Sequence, residues 1–204
     1  MTDDESAQSS DWNMRVIAGQ YRSRPLRSLR GMDIRPTSDR LRETLFNVVC
    51  AGNPEALAGT TWLDLYAGTG AVGIEALSRG ARWVYFAESS KSAADLIAAN
   101  LKSLGVSTGF QIVKSEAAKA LRQWESVVVH ADYVFLDPPY RLRDDYALTL
   151  AALADSKLLR TESIVIAEHE KKFDPGDAFG PLARYRKLIQ GDASLSFYQL
   201  HAGG

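Results

Sequence analysis

The chain has 204 residues, 46% of them hydrophobic, 9% aromatic and 24% charged, which is the size and apolar content of one ordinary folded domain. Its 15 Gly and 7 Pro follow no tandem period, which argues against fibrous, collagenous and largely disordered classes, and the single cysteine, Cys50, excludes an internal disulfide. A formal net charge of −1 would discourage a nucleic-acid partner only if charge were evenly spread along the chain, and it is not.

Residues 1–13 are acidic and polar and read as a loose leader rather than a secretory signal, and no apolar run reaches the roughly 18 residues that a membrane span needs. A soluble cytoplasmic protein is therefore the expectation. Residues 14–37 are expected to form a small basic β extension. Between Met14 and Leu45 stand Arg15, Arg22, Arg24, Arg27, Arg30, Arg35, Arg40 and Arg42, against Asp33, Asp39 and Glu43. Cationic contacts to phosphate supply much of the affinity of a protein for RNA, so Arg15, Arg22, Arg24, Arg27, Arg30 and Arg35 are candidate RNA contacts, with Tyr21 among them. The alternative is a solvated face whose arginines pair with those acids. Two short strands, Arg15 to Ala18 and Leu26 to Leu29, are predicted around a turn at Gly19 to Pro25. Ser38 or Asp39 then caps a helix whose apolar face carries Leu41, Leu45, Phe46 and Val49.

From Thr61 onward short β-rich runs alternate with helical stretches, the pattern of crossover units feeding a mostly parallel sheet. Seven strands are predicted: Thr61 to Tyr66, Arg82 to Ala87, Phe110 to Val113, Asp132 to Leu136, Ser163 to Glu168, Arg184 to Ile189 and Leu195 to Leu200. Helices are expected at Ala71 to Ser78 and Ser92 to Leu104, among others. Only Gln190 to Ser194, with Gly191 and Asp192, separates the last two strands, which is a hairpin signal. Residues 38–204 therefore read as an α/β domain with an open, doubly wound sheet, closed by an antiparallel pair. Ligands of such sheets sit at the carboxyl ends of the strands.

The first of these strands runs through Asp64 and Leu65 into Tyr66, Ala67, Gly68, Thr69, Gly70, Ala71, Val72 and Gly73. The literal spacing is G-x-G-x-x-G, and Glu88, followed by Ser89, ends the second strand where a ribose-binding acid belongs. That pattern alone is compatible with a dinucleotide, or with a tight turn that binds nothing. Asp64 weighs against a dinucleotide, because a carboxylate before the loop would repel pyrophosphate yet suit the ammonium and sulfonium of S-adenosylmethionine. Loop-amide capping is its structural alternative.

The segment Val134-Phe135-Leu136-Asp137-Pro138-Pro139-Tyr140 is more specific. Two prolines stiffen the chain and remove two amide donors, leaving a corner that presents acceptors. An exocyclic nucleobase amine is a poor nucleophile because its lone pair is delocalised into the ring. Asp137 and the Pro138 carbonyl can accept its two protons and localise that pair, and Tyr140 offers a face for stacking, worth about 1–3 kcal/mol. A proline-rich turn closing a strand is the plain alternative. His130, His169 and His201 are scattered and, with one cysteine, give no metal-ligand spacing.

Taken together, Arg15-Val16-Ile17-Ala18-Gly19-Gln20-Tyr21-Arg22, the run from Arg35-Pro36-Thr37 to Phe46-Asn47, the glycine loop and Asp137-Pro138-Pro139-Tyr140 resemble, in that order, the RsmD family of bacterial small-subunit ribosomal RNA guanine-N2 methyltransferases. The resemblance spans Met14 to Leu200. It implies a Rossmann-like, seven-stranded, S-adenosylmethionine-dependent enzyme that methylates one guanine of small-subunit (16S) RNA within an assembled or partly assembled 30S particle. By motif, Asp64, Gly68 and Gly70 hold the methionine end, Glu88 the ribose and residues 137–140 the base. Glu116, followed by Ala117, stands where the family places an acidic or amide residue against the adenine amine. A monomer is expected. Adenine N6, a protein glutamine amide, a dinucleotide-dependent oxidoreductase and a noncatalytic RNA-binding module are the competing readings.

Overall fold

The computed structural model describes residues 14–28, 38–127 and 130–201. The acidic leader, Leu29, Arg30 and Arg35 lie outside them. In chain order the elements are β1 (Met14–Arg15), β2 (Pro25–Leu26), α1 (Asp39–Val49), β3 (Thr61–Leu65), α2 (Ala71–Ser78), β4 (Trp83–Ala87), α3 (Lys91–Ser103), β5 (Phe110–Val113), α4 (Ala117–Trp124), β6 (Tyr133–Leu136), α5 (Asp144–Ala154), β7 (Ile164–Glu170), β8 (Ala178–Phe179), β9 (Leu182–Gln190) and β10 (Ala193–Leu200).

β3 to β10 form one sheet in the order β5-β4-β3-β6-β7-β10-β9-β8. The first five of these strands are mutually parallel, while β10 runs antiparallel to both neighbours, β7 and β9. All seven expected strands recur, but the closing hairpin turns back on itself, so that the later strand β10 lies inside and β9 outside. An eighth, two-residue strand, β8, extends the edge beyond β9; two residues carry no periodicity from which to expect it.

Alternation along the strands sends side chains to two cores. On β3, Trp62 joins a cluster with Phe46, Ile74, Phe86 and Ile97 beneath α1, α2 and α3, whereas Leu63 and Leu65 join Trp124, Val134 and Leu150 beneath α4 and α5. α1 starts where the Ser38 hydroxyl accepts the Leu41 N–H, and it buries Leu41, Leu45 and Phe46 against the sheet. Phe46 stacks on Trp62 at 5.4 Å between ring centroids.

The two amino-terminal strands pair as expected but are shorter, with Met14 opposite Leu26 and Arg15 opposite Pro25. The reason lies 57 to 58 residues away. The backbone N–H groups of Ile17 and Ala18 donate to the carboxylate of Glu75 on α2, at 2.7 and 2.9 Å, instead of to a strand partner. No helix among the described residues is long and apolar enough to cross a membrane.

Candidate functional site

The strand order reverses between β3 and β6, and the crevice at the carboxyl ends of such a pair is where open α/β sheets bind ligands. A cavity of about 710 Å³ occupies that position. One wall is built by residues that follow β3, β4 and β5: Tyr66, Gly68, Glu88, Ser89, Ser115, Glu116 and Ala117. The facing wall is the 137–140 corner after β6, with Asp137, Pro138, Pro139 and Tyr140 all lining the space. Ten sequence-selected residues thus share one cavity.

The remaining loop residues stand behind it. Gly70 is the N-cap of α2 at φ 77°, a left-handed conformation that glycine adopts without steric cost. Gly73 is fixed by packing instead: a Cβ there would lie 2.3 Å from Phe86 and 2.8 Å from Val84, so α2 can approach the sheet only with glycine at this point. Asp64 is 1% exposed and does not line the cavity; its Oδ2 accepts the Gly73 N–H at 2.8 Å. Burial pushes its carboxyl up to about 8, the charge of Glu88 adds to the shift, and the Gly73 hydrogen bond opposes it. Ala67 donates to the Ala87 carbonyl, and Thr69 presents its carbonyl to Asn100.

Glu88 bridges two loops, with Oε2 accepting from Gly68 N–H at 2.9 Å and Oε1 from Ser90 N–H at 2.7 Å. Tyr66 holds φ at 61°, unusual for a non-glycine residue and found here at the cavity wall. Its hydroxyl meets Thr149 Oγ1 at 2.8 Å and donates to Asp145 at 3.3 Å. Burial pushes that phenol up to about 12.

At the opposite corner, Pro138 is buried, Pro139 exposed, and Asp137 and Tyr140 half-buried. Sequence reading missed Tyr146, fully buried on α5, whose hydroxyl donates to the Glu168 carbonyl at 2.8 Å and reaches the Pro138 carbonyl at 3.3 Å. It also missed Asp145, Leu148 and Thr149, which line the cavity from the same helix. Their i, i+3, i+4 spacing directly after the corner is a signal that would have found them.

The basic arm lies outside the cavity, docked on α2 and α3. Gln20 N–H donates to the Ser78 carbonyl at 2.7 Å, Tyr21 N–H to the Ser78 hydroxyl at 2.9 Å, and Gly19 sits so close to Ser78 that a Cβ would overlap its carbonyl. Arg22, Arg24 and Arg27 are exposed. Arg15 is exposed beside Asp39 at 3.5 Å, and Arg24 donates to the Ser103 carbonyl. Arg42, from the same basic window, is fully buried beside Asp39 and Glu75. Among the described residues, no group of three or more His, Cys, Asp or Glu gathers as a metal site.

Four parallel crossovers, a reversed strand, β10, inserted beside the fifth, and a cavity over the switch point define the Rossmann-like fold of the methyltransferases. Residues 14–199 match the family model described as Conserved hypothetical protein 95. The ribosomal RNA small subunit methyltransferase D of Escherichia coli K12 is 32% identical over 196 residues, covering 96% of this chain and 94% of that protein. Among solved structures, yhhF of Escherichia coli, a candidate methyltransferase, superposes with a TM-score of 0.78 at 29% identity, covering 93% of this chain and 99% of the other. The methyltransferase-like SMU.776, complexed with SAH, shares the fold at 15% identity and a TM-score of 0.61, over 79% of this chain and 48% of that one. The chain belongs to the Conserved hypothetical protein 95 family, which is the RsmD family that its sequence resembles.

Proposed function

We propose that this protein transfers a methyl group from S-adenosylmethionine to the exocyclic N2 of a guanine in small-subunit ribosomal RNA, acting as a monomer on an assembled or partly assembled particle. One observation carries the reading. The glycine-loop wall and the acceptor corner face each other across a single cavity, as a donor and an amine acceptor must.

The residues present suit the cofactor. Glu88 offers carboxylate oxygens for ribose hydroxyls, and Glu116 and Ser115 offer polar groups for an adenine edge. Asp64 shapes the loop from behind through Gly73. A dinucleotide is disfavoured, because the Gly68 N–H, which would face pyrophosphate, is given to the Glu88 carboxylate.

When bound, S-adenosylmethionine supplies an electrophilic methyl on a sulfonium. The protein's part is to hold a flat amine-bearing ring in line with it and to exclude water. Asp137 and the Pro138 carbonyl accept the two amine hydrogens, which localises the nitrogen lone pair. Tyr146 fixes that carbonyl from behind, and Tyr140 supplies a stacking face. As nitrogen gains charge its proton becomes acidic, and Asp137 or water takes it. A guanine in folded RNA must be exposed or rotated outward to enter.

The test is incubation with labelled S-adenosylmethionine and ribosomal particles lacking the modification, followed by nucleoside analysis. Labelled N2-methylguanosine is expected. Label in N6-methyladenosine or in protein would reassign the target, and no transfer to RNA would end the reading. Asp137→Ala should lower turnover at least 100-fold, the scale of a lost proton acceptor, with cofactor binding retained.

A further inference from the structure

The glycine loop and the basic arm meet at one side chain. Asn100, in the last turn of α3, is fully buried. Its Nδ2 donates to the Thr69 carbonyl at 3.1 Å and to the Arg27 carbonyl at 3.1 Å, while its Oδ1 accepts the Arg27 N–H at 2.8 Å. Both amide hydrogens are therefore taken by carbonyls of two different segments, one in the loop and one in the arm.

The same stretch of loop is held from the other side, since Gly68 donates to Glu88, which lines the cavity. Residues 68 and 69 are thus suspended between a carboxylate that faces the ligand space and an amide that faces the arm. An amide group is planar, with its two N–H directions fixed relative to each other and to its oxygen. Displacing the Thr69 carbonyl turns that plane and disturbs both bonds to Arg27, and burial leaves no water to replace a missing partner.

We propose that Asn100 is a positioning residue that couples the cavity to the arm, so that an adenosyl ligand in the cavity tightens RNA binding and RNA tightens the ligand. The proposal rests on the functional reading above. Linkage requires the two effects to be equal, and typical couplings amount to about 5-fold or more.

The experiment measures the affinity of S-adenosylhomocysteine by calorimetry with and without a saturating small-subunit RNA fragment, and the RNA affinity with and without S-adenosylhomocysteine. Three proteins are compared. Asn100→Asp keeps the acceptor for the Arg27 N–H and the side-chain volume but, ionised or protonated, can no longer donate to both carbonyls at once. Ser78→Ala loosens the arm elsewhere, removing hydroxyl bonds to Ala18 and Tyr21 without touching Thr69. In the wild type each ligand should strengthen the other about 5-fold or more. Asn100→Asp should bind each ligand singly with the coupling abolished, and Ser78→Ala should retain the coupling even with weakened RNA binding.

Equal coupling in wild type and Asn100→Asp, or its loss in Ser78→Ala as well, would overturn the assignment and reduce Asn100 to a structural residue. A wild type that binds both ligands independently would also overturn it while leaving the methyltransferase reading intact; failure to bind S-adenosylhomocysteine at all would remove that reading and this one with it. Should Asn100→Asp not fold, amide exchange in the wild type decides. S-adenosylhomocysteine must then slow exchange of the Arg27 N–H, and an unchanged rate would refute the link.

Discussion

Asp64 is the residue at which the site meets protein stability. Its folded carboxyl titrates near 8, far above the ordinary carboxylate range, so the folded state holds a proton that the unfolded chain releases at about pH 4. A group raised in this way favours folding least at high pH: its contribution declines as pH rises from about 4 and levels off above about 8. Asp64→Asn keeps an oxygen for the Gly73 N–H and cannot ionise. Its stability advantage over wild type in urea melts should widen between pH 5 and pH 8, by about 1.4 kcal/mol for each pH unit crossed. A constant difference across that window would show that Asp64 is already ionised in the folded protein.

The residues that line the cavity were legible where the sequence places them side by side. Tyr66 and Gly68 in the glycine loop and the corner from Asp137 to Tyr140 stand in short stretches whose chemistry is local. Tyr146 and Asn100 were not, because each acts through backbone groups far away in sequence. Asn100 reaches back 73 residues to Arg27 and 31 to Thr69, and Tyr146 reaches ahead 22 residues to Glu168. A buried Asn or Tyr announces nothing until its partners are seen.

At the scale of elements, the strands of the sheet were readable because parallel strands buried on both faces are short apolar runs bounded by turns. The docking of the arm was not, since its hydrogen-bond partners sit on α2. There Glu75 is fully buried and accepts Ile17 N–H, Ala18 N–H and Arg79 Nε, with Arg42 Nε at 4.0 Å. Replacing it by Gln removes the charge on which two guanidinium groups lean, leaving the buried Arg42 with Asp39 alone among the described carboxylates. Breaking a buried pair of this kind costs about 3–5 kcal/mol. Glu75→Gln should therefore melt at lower temperature and be cleaved by trypsin after Arg22 and Arg27 before the sheet domain is attacked. Wild-type melting together with an intact arm would show that Glu75 does not anchor it.

For the whole molecule, a net charge of −1 conceals an uneven distribution of charge. The cavity wall carries Glu88, Glu116, Asp137 and Asp145, while the docked arm exposes Arg22, Arg24 and Arg27. Converting those three arginines to alanine should weaken RNA binding and flatten its salt dependence by about one unit of slope for each phosphate no longer neutralised, with ligand affinity in the absence of RNA unchanged. Filter binding at several salt concentrations is sufficient to measure it. Unaltered slopes would move the RNA interface to another surface.

The placement of β10 has a consequence for how the chain is made. Because this strand lies between β7 and β9, the edge formed by β8 and β9 has nothing to zip onto until residues 193–200 have been synthesised. A nascent chain stopped short of them presents the naked flank of β7, a template for mispairing with other chains. Closure of this flank therefore waits on β10: deleting or obstructing residues 193–200 should harm solubility more than equal damage to β8, the outermost strand.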